Sequence, residues 1–158
     1  MEFSEFFDSK NPANEVFLVS LNLVFDEYGV TEHIDRLSKE ARLVYLLWCF
    51  DGEIHNGGFD QLFTNSLGCH IIEILEHLKV VGATNSHNML KTAISWFPNY
   101  QPNSDRSIRY EQYSKFCENE TYINQENQLC EEFYHYKDNL EGLLNSFVKL
   151  NPSASVNA

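Results

Sequence analysis

The chain has 158 residues, of which 43% are hydrophobic and 14% aromatic. This length and composition predict one folded domain with its own hydrophobic core, not a disordered chain. The 23 acidic and 11 basic residues give a net charge of −12 at pH 7. That charge argues against direct binding to nucleic acid or to an anionic membrane, because phosphate groups require clustered lysine and arginine.

Apolar residues recur at helical spacing along nearly the whole chain, which predicts an all-α fold. We expect a single compact domain of six to eight helices over residues 1–150 and a flexible tail at 151–158. Asn11-Pro12 is typical of a helix start, because asparagine caps the first turn and proline is tolerated there. A second helix begins near Asp35 or Ser38, and its wide apolar face indicates that it is largely buried.

The second helix is expected to stop at Asn56-Gly57-Gly58. Gly57 fits a left-handed residue just after a helix end, because glycine has no Cβ to oppose a positive φ. Gly58 then exposes backbone N–H groups before a short third helix, a geometry that can hold an anion. The favoured interpretation is a tight corner between two helices.

The remaining elements are also predicted to be helical. A fourth helix starts near Ile71 and ends at Gly82, and a fifth runs from about Asn85 to Phe97, where Pro98 ends it. Residues 98–105 form the clearest loop, and residues 106–117 a further helix. The last helix is predicted to be long, about 124–149.

Two groups of polar residues suggest chemistry. Asp51, Glu53, His55 and Asp60 surround the glycine corner, where carboxylates with a histidine can do acid–base work. No nucleophile or oxyanion element is recognisable beside them, so we assign no catalytic residue. The second group is the helical set His70, Glu73 and His77, which lacks a fourth metal ligand and is interpreted as a solvated face with an ordinary Glu73–His77 pair. We expect no metal and no cofactor.

Acidic residues are concentrated at the two ends of the chain. Residues 1–32 carry seven acids and one base, residues 33–110 eight and seven, and residues 111–158 eight and three. The segment from Glu118 to Glu132 holds five acids and no base. Such a surface either keeps the protein soluble or engages a basic groove. The candidate partner-binding residues are Glu118, Glu120, Glu126, Glu131, Glu132, Asp138 and Glu141, with Asp26, Glu27 and Glu32 as a second group.

The four cysteines show no spacing typical of a zinc site or a disulfide framework; they are Cys49, Cys69, Cys117 and Cys130. The N-terminus has no basic region before an apolar stretch, so it does not resemble a signal peptide. The longest apolar segment, residues 16–25, is too short to span a bilayer. We therefore expect a cytoplasmic protein with reduced thiols.

Three stretches together resemble a bacterial DNA-mimic protein domain family, over about residues 34–150. The first is residues 40–45 leading into Asp-Gly-Glu-Ile-His-Asn-Gly-Gly-Phe at 51–59. The second comprises Gln61, Phe63, Asn65-Ser66 and Gly68, followed by Gly82. The third is Glu-Phe-Tyr-His-Tyr-Lys-Asp-Asn-Leu at 132–140, in which Lys137 interrupts the acidic run.

The resemblance implies an all-helical fold whose acidic surface imitates duplex phosphates and occupies a DNA-binding protein. It also implies a homodimer, and it predicts a non-enzymatic protein whose partner is a basic DNA-binding protein or a nuclease. The motif residues are then scaffold: Asp51, Gly52, Glu53, Asn56, Gly57, Gly58, Phe59, Gln61, Phe63 and Asn65.

Two other functions remain open at this stage. The first is an immunity or antitoxin protein, in which the same acids neutralise a nuclease-type toxin. The second is a small enzyme or ligand binder centred on the corner from Asp51 to Asn56. An open pocket with strongly perturbed carboxylates at that corner would favour the enzyme, and a packed corner would count against it.

Overall fold

The structure is a computed structural model, which describes residues 1–25 and 33–158. These residues contain seven α-helices: α1 (Pro12–Val24), α2 (Lys39–Thr64), α3 (Ile71–Val80), α4 (Thr84–Ala93), α5 (Arg106–Ser114), α6 (Glu120–Tyr134) and α7 (Leu140–Leu150). Short 3₁₀ turns join several of them, and in the described part of the chain β-pairing is limited to two isolated bridges. The all-α class and the number of helices are confirmed.

The chain groups into two compact units, one formed by Met1–Cys49 with Asn139–Ala158 and the other by Phe50–Asp138. The single domain expected over residues 1–150 stays a prediction. Over residues 1–25 and 33–158, no helix is both long enough and apolar enough to cross a membrane.

The first unit packs α1 and α7 together with the first part of α2. The Asn11 side chain accepts a hydrogen bond from Asn14 N at 3.2 Å, so it caps α1 as predicted. Phe17 of α1 stacks on the rings of Tyr45 and Trp48, with centroids 5.5 and 5.7 Å away. These contacts place the wide apolar face of α2 in the core.

The C-terminal segment is packed in the first unit, contrary to the flexible tail predicted at 151–158. Val156 is fully buried, its N–H donates to Met1 O at 2.9 Å, and its carbonyl accepts from Ser38 N at 3.0 Å. The N–H of Phe3 donates to Ala154 O at 2.8 Å. The N-terminal segment thus supplies hydrogen-bond partners for the C-terminal residues. The local sequence of the tail does not indicate these contacts, because the partners are remote in the chain.

The second unit contains the rest of α2 and helices α3 to α6 around an aromatic core. Phe116 lies at its centre, with its ring centroid 5.0 Å from Phe97 and 4.8 Å from Tyr122. Phe63 contacts Phe97 edge to face at 4.9 Å. Such pairs add a specific geometry to the apolar area that they bury.

The long helix predicted over residues 124–149 is two helices, since α6 ends at Tyr134 and α7 begins at Leu140. Tyr136 and Asn139 have positive φ values of 52° and 44°, which no α-helix accommodates. The Asn139 side chain accepts from Gly142 N at 3.3 Å and so begins α7. The helical spacing of apolar residues continues across the break, and for that reason the sequence predicted one helix despite the capping residue Asn139.

Candidate functional site

The glycine corner interrupts α2 where predicted, but the left-handed residue is Gly58 and not Gly57. Gly57 has φ −151° and Gly58 has φ +71°. A Cβ on Gly58 would lie 2.5 Å from Glu126 Oε1 and 2.8 Å from Cys130 Sγ. Gly58 is therefore required both by its backbone conformation and by the close approach of α6.

The backbone N–H that restarts α2 after the corner is satisfied by a carboxylate of the chain itself. Phe59 N donates to Glu126 Oε1 at 3.1 Å, and Cys130 Sγ donates to the same oxygen at 2.8 Å. Glu126 is only 8% exposed. An anion is favourable at a helix N-terminus, and here Glu126 supplies it. Glu126 thus occupies the position that an external anion would take at this helix N-terminus.

Cys130 is held as a neutral thiol by this arrangement. Burial, together with its hydrogen bond to Glu126, raises the pKa of Cys130 to about 12. The four cysteines, all among the described residues, carry thiols and form no disulfide bonds.

A side-chain network bridges the two halves of α2. Glu53, before the corner, accepts hydrogen bonds from Gln61 Nε2 at 2.5 Å and from Asn65 Nδ2 at 3.2 Å, both after it. Asn56 Nδ2 donates to Gln61 Oε1 at 3.3 Å. A Cβ on Gly57 would collide with the Gln61 side chain, so this glycine makes room for the network.

Asp51 and His55 are packed against the end of α6. Tyr136 Oη donates to Asp51 Oδ2 at 3.1 Å, and His55 Nδ1 lies 3.2 Å from Asp51 Oδ1. The His55 ring lies 5.2 Å from that of Phe133 and 5.7 Å from that of Tyr134. The corner from Asp51 to Asn56 is therefore packed and hydrogen-bonded, which counts against the enzyme alternative.

Asp60 is tied to the aromatic core. Tyr122 Oη donates to Asp60 Oδ1 at 2.5 Å. Burial, together with Asp60, raises the pKa of both Tyr122 and Tyr113, so both stay neutral donors. Phe59 and Phe63 are fully buried in the same unit, whereas nothing around Gly52 explains a glycine there.

Glu73 lies between two histidines. Its carboxylate is 3.4 Å from His70 Nδ1 and 3.2 Å from His77 Nε2. The expected Glu73–His77 pair is confirmed, although all three side chains are partly buried. Among the residues that the structure describes, no three His, Cys, Asp or Glu side chains are grouped so that they could hold a metal ion.

The seven predicted partner-binding acids that the structure describes differ in their exposure. Glu118, Glu120, Glu131, Glu132 and Glu141 are exposed, Asp138 is half-buried and Glu126 is buried. Asp26, Glu27 and Glu32 lie outside the described residues. Glu126 is therefore not an exposed surface acid, because its carboxylate is packed against the corner.

The exposed side of α6 carries the acids that remain available. Glu120 and Glu131 are eleven residues apart on this helix, about 16 Å along its axis at 1.5 Å per residue. Glu118 precedes the helix, and none of these three forms an ion pair with residues 1–25 or 33–158. Glu132 is 3.6 Å from Lys137 Nζ, so Lys137 offsets part of the charge.

The Asp138 side chain caps the N-terminus of α4, so Asp138 does not extend the acidic face of α6. Its carboxylate accepts from Ser86 N at 2.5 Å and from Asn85 Nδ2 at 2.8 Å. Burial opposes ionisation, but the hydrogen bonds from Ser86 and Asn85 outweigh it and lower the pKa of Asp138. Glu141, in the first unit, accepts from Asn11 Nδ2 at 2.9 Å. Both acids therefore have structural partners.

A groove of about 580 Å³ opens beside the glycine corner. Gly58 lies on one side, and Glu126, Cys130, Glu131 and Tyr134 of α6 lie on the other. Tyr134 is 50% exposed. The groove is lined by Gly57, Gly58 and α6, and not by the residues from Asp51 to Asn56 on which the enzyme alternative was centred.

Arg109 is a second buried charged residue that the sequence pattern did not indicate. It is fully buried and donates to Phe63 O at 2.7 Å, Asn65 O at 2.8 Å and Asn103 O at 2.9 Å. Because these carbonyls include the C-terminal end of α2, the guanidinium also lies at the negative end of that helix. Nothing in the local spacing of Arg109 distinguishes it from an exposed arginine.

The all-helical fold is what the resemblance to DNA-mimic domains implied. The family model described as DMP19-like protein matches residues 35–151. The match covers well over half of the chain, and the protein belongs to the DMP19-like protein family. This family suggests a DNA-mimic type of protein. No curated protein and no solved structure matches the chain.

Proposed function

We propose that this protein is a non-enzymatic DNA mimic, which occupies the basic site of a DNA-binding protein and blocks its access to DNA. The observation that carries the proposal is the exposed side of α6. Glu120 and Glu131 point away from the core there, Glu118 precedes them, and no lysine or arginine occurs between residues 118 and 132. Membership of the DMP19-like family supports the same function.

The spacing of these acids suits a duplex-binding groove. The axial distance of about 16 Å between Glu120 and Glu131 equals the rise of about five base pairs at ~3.4 Å each. A basic groove shaped for phosphates would therefore meet two carboxylates of one rigid helix at a phosphate-like separation. Complementary fields of this kind speed association and weaken as salt is added.

The packed corner supports a non-enzymatic role. Asp51 and Glu53, the carboxylates best placed for acid–base work in the sequence, are engaged by Tyr136 and by Gln61 with Asn65. A catalytic carboxylate must instead reach a substrate proton.

Charge reversal on α6 tests the proposal. The test variant carries Glu118→Lys, Glu120→Lys and Glu131→Lys. Asp138 is left intact because its side chain caps the N-terminus of α4. The matched control reverses three other exposed acids, Asp8, Asp35 and Glu111, and therefore has the same net charge. The wild-type protein is immobilised to isolate a DNA-binding protein from its host, and the purified partner is bound to a fluorescently labelled duplex.

The wild-type protein and the control should displace the duplex, and the α6 variant should need at least about tenfold more protein, an effect of ~1.4 kcal/mol. Equal displacement of the duplex by both variants would show that the exposed acids of α6 are not the binding surface. Failure of the wild-type protein to compete with DNA would overturn mimicry itself. If the isolated partner is a nuclease that the protein inhibits, the immunity alternative takes its place.

A further inference from the structure

The groove beside the glycine corner is lined by a largely buried glutamate, one of whose carboxylate oxygens accepts no hydrogen bond from the described residues. Glu126 is more than nine-tenths buried, and both of its hydrogen bonds are accepted by Oε1, from Phe59 N and Cys130 Sγ. Its other oxygen, Oε2, accepts no hydrogen bond from residues 1–25 or 33–158. Glu126 lines the groove, so this oxygen is available to accept a hydrogen bond from a donor outside the chain.

Two further side chains make the groove suitable for an organic cation. Glu131 adds a second carboxylate, and the half-exposed Tyr134 adds an aromatic ring. Burial, with the nearby Cys130 and Glu126, raises the pKa of Tyr134, so a further negative charge is disfavoured at this ring. Carboxylates beside an aromatic ring are the surroundings that a cationic side chain prefers.

We propose that this groove binds the guanidinium group of an arginine side chain from the basic partner, between Glu126, Glu131 and Tyr134. Arginine fits better than lysine because its planar group presents several donors at once and also stacks on aromatic rings. The inference rests on the proposed function and deepens it. The exposed acids of α6 attract the basic surface, and the groove anchors one arginine of that surface.

Hexa-arginine and hexa-lysine peptides test the groove without the natural partner. Binding to the full chain is measured by calorimetry at one ionic strength, and the contacted residues are identified from amide chemical shifts. Wild-type protein should bind hexa-arginine about fivefold more tightly than hexa-lysine, with the largest shifts at Gly58, Cys130 and Tyr134.

Tyr134→Leu is the decisive variant because it keeps every charge. It should remove the preference for arginine, and Glu131→Gln should weaken hexa-arginine binding about fivefold. Glu132→Gln is the matched control, since it removes one charge from the neighbouring exposed position, and it should change binding less than about twofold. Equal binding of the two peptides, or an undiminished preference in Tyr134→Leu, would overturn the inference.

The duplex-displacement assay separates this inference from the proposed function. If Tyr134→Leu displaces duplex DNA as well as the wild-type protein does, whereas the α6 charge reversal fails, the groove is not an anchor although mimicry stands. If the peptides bind in the groove but the wild-type protein displaces no DNA, arginine recognition stands and mimicry falls.

Discussion

The carboxylate of Glu126 accepts a hydrogen bond from the backbone N–H of Phe59, 3.1 Å away, although the two residues are 67 positions apart in the chain. The contact joins α6 to the point where α2 restarts. It satisfies a helix N–H that would otherwise lack an intrahelical partner and places a negative charge at the positive end of that helix segment. The glycine corner of α2 and the acidic helix α6 are thus held together by this hydrogen bond.

Gly58→Ala should lower the free energy of unfolding by about 2–4 kcal/mol in urea denaturation. Alanine would adopt the φ of +71° at a cost, and its Cβ would also meet the Glu126 carboxylate and Cys130.

Substitutions at two other glycines separate the cost of the positive φ from the cost of the close contact with α6. Gly82 has a φ of +77° with open space around it, so Gly82→Ala should cost only the backbone strain, about 1–2 kcal/mol. Gly52 lies inside α2 with neither constraint, so Gly52→Ala should raise stability by about 0.5–1 kcal/mol. Equal effects at all three positions would show that the close packing on α6 is absent.

Glu126→Ala should destabilise the protein by about 2 kcal/mol, because it leaves the Phe59 N–H buried without an acceptor. Glu126→Gln keeps an acceptor oxygen and should cost about 1 kcal/mol less. Amide hydrogen exchange at Phe59 should accelerate in the alanine variant. Glu131→Ala, on the exposed side of the same helix, should stay within about 0.5 kcal/mol of wild type. Slow exchange at Phe59 in Glu126→Ala would contradict the assigned hydrogen bond.

The sequence predicted most of the fold because the local signals are strong and consistent. Asn11-Pro12 begins α1, Asn56-Gly57-Gly58 interrupts α2 and Gly82 ends α3, each through short-range backbone chemistry. The break before α7 was missed because Leu129, Phe133, Leu140 and Leu144 keep a helical spacing across it. Apolar periodicity records which residues are buried, and two successive helices can bury residues with the same spacing.

The candidate site was harder to predict, because its decisive contacts join remote parts of the chain. Within the acidic run from Glu118 to Glu132, composition alone makes Glu126 equivalent to Glu120. The apolar neighbours at helical spacing, Tyr122, Leu129 and Phe133, place Glu126 on the inner side of α6. That pattern was available in the sequence, whereas the acceptor role of Glu126 toward Phe59 required the tertiary structure.

Asp138→Ala should lower stability by about 1–2 kcal/mol near neutral pH, because Ser86 N and Asn85 lose their shared acceptor. The hydrogen bonds depress the pKa of Asp138, so its contribution is present above the unfolded pKa of ~3.9 and is lost as pH falls through the folded value. The difference between wild type and variant, measured by urea unfolding at several pH values, should therefore shrink below about pH 4. A difference that is constant with pH would refute an ionised cap.

Arg109→Lys should destabilise the protein by about 3 kcal/mol, although it keeps the charge. The guanidinium reaches the carbonyl oxygens of Phe63, Asn65 and Asn103 at the same time, and a lysine ammonium on a flexible stem cannot span all three. Arg106→Lys is the matched control, because Arg106 is exposed and, among residues 1–25 and 33–158, donates only to Thr64 O, at 2.8 Å.

The control should lose less than about 1 kcal/mol. Gly68→Ala should be at least as destabilising as Arg109→Lys, since a Cβ there would lie 2.6 Å from both Arg109 Nε and the backbone oxygen of Leu62. All three variants are compared with the wild-type protein by urea unfolding and by the thermal midpoint. Equal stability of Arg109→Lys and Arg106→Lys would mean that one carbonyl suffices, and the buried arginine would then lose its role in holding the end of α2 in place.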